Sequence, residues 1–301
     1  MNSTAKGIAW MVLTGLLFIG VTGIVRHLSS DMNPIQSAFI RYAMGVVIMA
    51  PILMRLRRED FAAARYGLHG LRGLVHGAGV MLWFYAMSRI PIAEVTALGF
   101  TAPIFTTIGA AMFLGEKLHA RRIGAVLVGF GGAMVILRPG IAIIDHGAIA
   151  QLIAAPLMAV SFLIAKRLTN TEETRVIVGF LTIIVTVVLF VPAMMVWRTP
   201  TVFELGWLFA VATCATCGHL ALTQAFRAAE ITVTQPVAFL QLVWATLLGF
   251  YVFGEVPDAW TWVGAAIIVG SATYIAHREM SAKQREVSDP PPQTAGAGDP
   301  L

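Results

Sequence analysis

Ten long apolar stretches follow one another along the chain, separated by short segments that contain Arg, Lys, Pro or other polar residues. About 20 helical residues cross the hydrocarbon core of a bilayer, so each stretch is close to or above the length of a membrane-spanning helix. The pattern predicts ten membrane helices. Their expected ranges are 7–28, 34–54, 71–88, 92–114, 122–138, 147–165, 176–197, 205–226, 231–253 and 259–277.

The composition also indicates a membrane protein. Of the 301 residues, 57% are hydrophobic and 12% are charged, whereas about 25% of the residues of soluble domains are charged. The net charge is +5, but the basic residues lie between apolar stretches and form no patch on a polar domain. We therefore expect no nucleic-acid partner. Two cysteines are too few for the disulfide framework of a small secreted domain.

The positions of Lys and Arg predict the orientation in the membrane, because cytoplasmic loops are enriched in both residues. If the N-terminus is cytoplasmic, the outer loops and helix ends hold only four arginines, Arg26, Arg89, Arg138 and Arg198, and most other basic residues fall inside. We therefore expect a protein of the cell inner membrane with both termini in the cytoplasm.

The two ends of the chain are expected to lie outside the helical core. Residues 1–6 form a short cytoplasmic N-terminus. The first apolar stretch is longer than a signal-peptide core and no A-x-A cleavage site follows it, so it is expected to remain a membrane helix. Residues 279–301 turn polar and end in SDPPPQTAGAGDPL, a composition that predicts a disordered cytoplasmic tail.

An internal repeat relates the two halves of the chain. Residues 84–116 align with residues 223–255 at an offset of 139 positions, and both segments end in Gly-Glu. Each repeat unit contains five predicted helices, which is an odd number, so the second unit enters the membrane upside down relative to the first. The two Gly-Glu loops agree with this inversion, because KLHARR after Glu116 is basic and VPDAW after Glu255 contains no Lys or Arg.

Inverted repeats of this kind are typical of secondary transporters, whose central site opens to either side of the membrane. The chain resembles the drug/metabolite transporter superfamily, in its EamA family, over residues 7–277. The resemblance is carried by three segments: FIRY at 39–42, TAPIFTTIGAAMFLGEKL at 101–118, and FGEVPDAWTWVGAAIIVGSATYI at 253–275.

The resemblance implies an all-α membrane protein in which two inverted EamA repeats, residues 7–138 and 147–277, surround a central cavity. It also implies a facilitative or proton-coupled carrier of small organic metabolites. Pro103 precedes the first Gly-Glu, Gly115-Glu116, by twelve residues, whereas Pro236 lies earlier relative to the second, Gly254-Glu255. We expect equivalent helices to bend at different depths in the two repeats.

Ionisable side chains within membrane helices are unfavourable by about 2.5–3.5 kcal/mol each, so each is a candidate for function. Arg41 suits an anionic substrate group or, as a structural residue, backbone carbonyls. His76 and His219 lie in equivalent helices and, after superposition of the repeats, one helical turn apart. We expect them to meet near the midplane as substrate ligands or proton carriers, the alternative being hydrogen bonds to neighbouring helices.

The remaining candidates are a carboxylate, amides and aromatic rings. Glu94 begins the fourth helix, where it suits proton coupling, a cationic substrate group or a helix cap. Amide side chains offer donors and acceptors without a charge, and the tryptophans offer flat walls or simple helix packing. These candidates are Gln151, Gln224, Gln241, Trp83 and Trp244. Gly115, Glu116, Gly254 and Glu255 are expected to be structural, with each glutamate capping the helix that it precedes.

Other chemistries have little support in the sequence. There is no phosphate-binding loop, zinc-protease motif or nucleophile elbow, so we expect no enzyme activity, cofactor or metal. CATCGH, residues 214–219, departs from the haem motif C-x-x-C-H because Gly218 precedes the histidine, and it lies within a predicted membrane helix. A redox or haem protein and a channel are therefore remote alternatives.

The leading functional hypothesis is a carrier of amino acids or related zwitterions, with export by alternating access. The alternative is an importer of a vitamin or nucleoside-like compound such as riboflavin or S-adenosylmethionine, favoured by the aromatic residues and histidines. The expected partners are a small-molecule substrate, the lipid bilayer and protons as coupling ion. The protein is expected to be a monomer or a homodimer.

Overall fold

The protein is described as a computed structural model that covers residues 3–28, 32–55, 64–102, 105, 120–138, 144–229, 237 and 240–288. Within these ranges it contains ten α-helices and no strand. They are α1 (Ser3–Leu28), α2 (Pro34–Leu53), α3 (Tyr66–Met87), α4 (Ile92–Gly99), α5 (Ala120–Leu137), α6 (His146–Leu168), α7 (Thr174–Met195), α8 (Val202–Ala228), α9 (Leu240–Phe253) and α10 (Ala259–Ser288).

The helices agree with the apolar stretches of the sequence, and most described boundaries differ from the prediction by five residues or fewer. The exception is α10, which continues to Ser288, so residues 279–288 are helical although their polar composition predicted disorder. The later parts of the stretch predicted at 92–114 and the start of the one at 231–253 lie largely outside the described residues.

The chain is an all-α membrane protein. Five described helices are long and apolar enough to cross a bilayer: α1, α2, α6, α7 and α8. Large apolar side chains also face outward, including Val47 at 70% exposure and Val187 at 67%. Lipid accommodates such a surface, whereas water does not.

The packing of the helices shows the inverted repeat directly. The first helix of each unit packs against the third helix of the other unit: α1 contacts α8, and α6 contacts α3. The remaining equivalent helices contact each other: α2 with α7, α4 with α9, and α5 with α10. Every helix of one unit therefore packs against the other unit, as expected for two units related by a pseudo-two-fold axis.

The contact between α5 and α10 depends on glycine. A Cβ atom added to Gly132 would lie 2.9 Å from the carbonyl oxygen of Gly264, and one added to Gly264 would lie 2.6 Å from the carbonyl oxygen of Gly132. Only residues without side chains permit this approach of two backbones.

A buried polar cluster joins the two units near the start of α3. His69 and Glu172 are both almost fully buried, and their Nε2 and Oε2 atoms lie 2.6 Å apart. The other carboxylate oxygen of Glu172 accepts a hydrogen bond from the backbone N–H of Arg65 at 2.9 Å. Arg72, one turn further along α3, donates to the carbonyl of Ile177 at 3.0 Å. These partners satisfy both carboxylate oxygens of Glu172 in an otherwise apolar interior, while His69 Nδ1 and Arg72 Nε have no partner among the described residues.

Asp258 caps the start of α10. Asp258 Oδ1 accepts a hydrogen bond from the backbone N–H of Thr261 at 2.7 Å, and Oδ2 lies 2.6 Å from a guanidinium nitrogen of Arg138 in the other unit. Partial burial raises the pKa of Asp258, but these hydrogen bonds and the Arg138 charge outweigh it and hold the pKa below its ordinary value.

Candidate functional site

A central cavity of about 260 Å³ lies between the two units. Residues of α1 to α4 line it from the first unit, and residues of α6, α8 and α9 line it from the second. Ring side chains form much of its wall: Phe18, Tyr42, His76, Trp83, Phe84, Phe100, Phe162 and His219. This volume lies just below the range of about 300–1,000 Å³ for pockets that hold drug-sized ligands, so the cavity suits a small metabolite.

His76 and His219 meet in this cavity across the boundary between the units. Their ring centroids are 5.2 Å apart and the planes are inclined by 69°. His76 Nδ1 lies 2.9 Å from Ser161 Oγ and His76 Nε2 lies 2.9 Å from Tyr42 Oη, so both ring nitrogens have partners. His219 contacts the edge of Phe18 at 5.3 Å, and its Nδ1 has no hydrogen-bond partner among the described residues.

The geometry of the pair follows from the repeat. Equivalent helices α3 and α8 approach the centre from opposite units, and the sequence placed both imidazoles on the same face. The structure brings the rings together as expected, while their action on a substrate or a proton stays a prediction. His76 is held by two neighbours, so His219 is the imidazole with hydrogen-bonding capacity left for a ligand.

Arg41 places a positive charge in the cavity wall. Its side chain is buried, and the guanidinium carbon lies 3.8 Å from the centre of the Tyr42 ring. This stacking is a cation–π interaction, and a guanidinium carries several N–H donors. Among the described lining residues, Arg41 is the side chain with a permanent charge, and none carries a carboxylate. The wall therefore favours an electron-rich or anionic group.

Two of the predicted amides also line the cavity. Gln151 is buried, and its Oε1 has no hydrogen-bond partner among the described residues. Gln241 approaches from α9 and lies on the same wall. A buried amide oxygen without a partner is unfavourable by about 1–3 kcal/mol, so Gln151 is suited to accept a hydrogen bond from an N–H or O–H group of a ligand.

The other predicted site residues are distributed differently. Trp83 lines the central cavity, whereas Trp244 faces outward with 44% of its surface exposed. Gln224 lines a separate groove of about 610 Å³ between α1, α7 and α8, together with Arg175 and Arg227. Glu94 lies in the first turn of α4, half-buried, and is absent from the described lining of the cavity.

The second Gly-Glu pair has a defined structural role that differs from the expected one. Gly254 has φ +66°, a left-handed conformation that glycine adopts readily. It turns the chain after α9 so that Glu255 Oε2 accepts a hydrogen bond from the backbone N–H of Ile92 at 2.8 Å. Glu255 thus caps α4 of the other unit, and the described contacts do not show it capping α10, which the sequence predicted. The other predicted structural residues, Pro103, Gly115, Glu116 and Pro236, lie outside the described residues.

Sequence reasoning did not select Tyr42, Ser161, Thr22 and Thr96. Tyr42 follows Arg41 in FIRY, and residues next to each other in a helix point in directions about 100° apart. Both line the cavity because the Arg41 guanidinium folds over the Tyr42 ring. Ser161 is identified only by its contact with His76.

The cysteines of CATCGH lie within α8 and do not belong to the described cavity wall. Both are free thiols, Cys214 partly buried and Cys217 exposed. Gly218 packs close to Phe18, since a Cβ added there would lie 2.8 Å from its ring. In the part of the chain that the structure describes, no three His, Cys, Asp or Glu side chains come close enough to hold a metal ion.

Comparison with protein families places this architecture among known transporters. The model of the EamA-like transporter family matches the chain twice, over residues 5–138 and 146–276. One solved crystal structure superposes on 92% of this chain and 98% of its own, with a TM-score of 0.61 and 18% identity. At this identity the superposition shows a shared fold alone.

Individual relatives match over nearly their whole length. An S-adenosylmethionine uptake transporter of Rickettsia bellii is 28% identical over 95% of this chain and 100% of its own. A riboflavin transporter of Vibrio cholerae is 31% identical over 93% of this chain and 96% of its own. The pseudopaline exporter CntI of Pseudomonas aeruginosa is 27% identical over 88% of this chain and 93% of its own. All three are named as transporters or exporters rather than enzymes.

Proposed function

The chain belongs to the EamA-like transporter family, and on this premise we propose that it imports a small metabolite with a flat aromatic or heterocyclic ring. The central cavity is the proposed substrate site. Transport runs by alternating access between the two inverted units and uses no ATP. The observation that carries the proposal is the ring-lined wall, in which Arg41, Gln151 and His219 offer hydrogen bonds to the edge of a ring.

The chemistry of the wall supports a ring that carries both acceptors and donors. Aromatic side chains favour stacked or edge-on contact with another flat π system. Arg41 supplies donors, and the unpartnered Oε1 of Gln151 supplies an acceptor. Nucleobase-like and flavin-like rings have carbonyl oxygens beside N–H groups and match this pattern. The transporters of riboflavin and of S-adenosylmethionine, which carries an adenine ring, are the relatives in line with it.

An amino acid or related zwitterion is the second candidate, and export is its direction. Arg41 favours it because a guanidinium binds a carboxylate well. The ammonium group of such a substrate has no carboxylate partner among the described lining residues, which leaves Gln151 as its acceptor. The named exporter among the relatives shows that similar chains do not share one direction.

Transport by purified protein in liposomes tests the proposal. Vesicles are offered labelled riboflavin, a nucleoside, S-adenosylmethionine and a panel of amino acids, with and without a pH gradient. We expect saturable uptake of a ring compound, and its loss in Gln151→Ala. His146→Ala, an exposed change at the start of the same helix, is the matched control. Uptake of amino acids alone would establish the second candidate, and inert vesicles across the panel would contradict both.

The orientation is part of the same proposal. With both termini in the cytoplasm of a cell with an inner membrane, the end of the bundle at which α1 finishes and α4 begins faces outward. Reporter domains fused to either terminus test this assignment, because a reporter that works only in the periplasm would give signal only if the orientation is reversed.

A further inference from the structure

The first helix of each unit has a cation two residues before its end. Arg26 lies two residues before the end of α1 at Leu28, and Lys166 lies two residues before the end of α6 at Leu168. The two helices are equivalent members of the inverted repeat. These cations therefore lie at opposite ends of the bundle.

Both cations hold equivalent backbone atoms. Arg26 donates to the carbonyl oxygen of Met87 at 2.6 Å and to that of Ile90 at 3.3 Å. Lys166 donates to the carbonyl oxygens of Phe226 and Ala229. At the repeat offset of 139, Met87 corresponds to Phe226 and Ile90 to Ala229. Each cation thus fastens the end of the first helix to the end of the third helix within its own unit.

Arg26 also contacts Glu255, and this contact crosses between the units. Its other guanidinium nitrogen lies 2.6 Å from Oε1 of Glu255, and both side chains are largely buried, at 23% and 12% exposure. The second oxygen of Glu255 accepts the N–H of Ile92. One carboxylate of the second unit therefore joins the end of α1 to the start of α4 in the first unit.

The ion pair lies directly beyond one end of the central cavity. Thr22 lines the cavity and precedes Arg26 on α1 by one helical turn, which is about 6 Å. Val95 also lines the cavity and follows Ile92 on α4 by less than one turn. Arg26 and Glu255 therefore connect the two units at the level where α1, α4 and the turn after α9 converge over the cavity.

We propose that the Arg26–Glu255 ion pair is a gate that closes the central cavity at this end and must break before this end opens. The proposal rests on the proposed transport function. Any motion that separates the units here lengthens the pair, because its members belong to different units. The guanidinium keeps its bonds to Met87 and Ile90 when the pair breaks, since these lie within its own unit. The open state therefore does not carry the energetic penalty of an arginine without hydrogen-bond partners.

Accessibility of a single cysteine in the cavity tests the gate without a substrate. Cys214→Ser and Cys217→Ser remove both native thiols, and Ala155→Cys places a reporter on the buried cavity wall. An impermeant thiol reagent is added to sealed vesicles from either side. We expect Glu255→Gln and Arg26→Gln to raise the labelling rate from the side of Glu255 by roughly threefold or more, and to lower it from the other side, because two states exchange population.

Two further variants separate a gate from general loosening. Arg26→Lys keeps the charge, and a lysine can hold the equivalent carbonyls, as Lys166 does in the other unit. Its labelling rate is therefore expected to stay near that of the reporter protein with Arg26 and Glu255 intact. Arg138→Gln breaks another ion pair between the units, with Asp258 at 2.6 Å, that is more exposed and whose residues do not line the cavity. It is the matched control and is expected to leave labelling unchanged.

The double variant Arg26→Gln with Glu255→Gln decides the assignment. Because both changes break the same pair, the double variant is expected to label no faster than the faster single variant. Additive increases, unchanged labelling in both single variants, or an equal increase in Arg138→Gln would each overturn the gate. If Glu255→Gln does not fold, Arg26→Gln against Arg26→Lys gives the same test. Vesicles that transport nothing but show the expected labelling would overturn the proposed function and leave the gate standing.

Discussion

The imidazole rings of His76 and His219 lie 5.2 Å apart, although one belongs to α3 and the other to the equivalent helix of the inverted unit. They differ in their surroundings. His76 has a partner on each nitrogen, Ser161 and Tyr42, whereas His219 Nδ1 has none among the described residues. The pair therefore combines a ring fixed by the protein with a ring able to bind a ligand.

This difference predicts different consequences for the two alanine variants. His76→Ala leaves the Ser161 and Tyr42 hydroxyls without their partner, so we expect it to lower the free energy of unfolding by about 1–3 kcal/mol. His219 Nδ1 has no partner among the described residues to lose, so His219→Ala is expected to destabilise less, while abolishing stabilisation by a bound ring compound. Thermal unfolding in detergent, with and without riboflavin as the probe, measures both effects. Equal destabilisation by the two variants would contradict the assignment.

Arg41 is predicted to bind substrate through its guanidinium. Arg41→Gln removes the charge, so we expect the KM of transport to rise about tenfold or more, in line with the 1.5–3 kcal/mol typical of hydrogen bonds to charged groups. Arg89→Gln is the matched control, since Arg89 also stacks on a tyrosine, Tyr85 at 5.1 Å, but is exposed and absent from the described cavity wall. An equal rise in KM for both variants would argue against a binding role for Arg41.

Two adjacent glutamates are predicted to contribute very differently to stability. Glu172 is buried and is hydrogen-bonded to His69 and to the backbone N–H of Arg65, so Glu172→Ala leaves both groups without their partner and is expected to lower the free energy of unfolding by about 1–3 kcal/mol. Glu173 pairs with Arg175 at the surface, where both side chains are at least 40% exposed. Glu173→Ala is therefore expected to change the free energy of unfolding by less than about 1 kcal/mol. Thermal unfolding of both variants checks the contrast, and similar losses would show that the buried pair is not the cause.

Gly254 is predicted to be sensitive to substitution because of its backbone. At φ +66° an alanine is less favourable than glycine by about 1–2 kcal/mol, and Gly254→Ala is expected to destabilise by that amount. Gly206→Ala is the control: Gly206 lies in α8 with open space around it, and alanine there is expected to be neutral or stabilising by up to about 1 kcal/mol. A thermal-unfolding comparison in which both variants behave alike would contradict the turn assignment.

Several features of the site were predictable because they depend on helical spacing and on the repeat. The opposition of His76 and His219 follows from their positions in equivalent helices. Arg41 and Gln151 are recognisable as polar residues within apolar stretches, which lipid disfavours. The same reasoning could not separate Gln151 from Gln224 or Trp83 from Trp244. A helix face towards lipid and a helix face towards another helix are both apolar, so the sequence does not show which face lines the cavity.

The sequence alone determined the number of helices, most of their described boundaries and the inverted relation of the two units. These features depend on the length of each apolar stretch, the charge of each loop and the odd number of helices in each repeat, which are local or periodic properties. The tertiary structure decided which residues share the cavity, and it moved the cap made by Glu255 from the helix after it to α4 of the other unit. It also revealed the Arg26–Glu255 pair. These contacts join residues more than 150 positions apart, and only the packing of one unit against the other sets the distance between them.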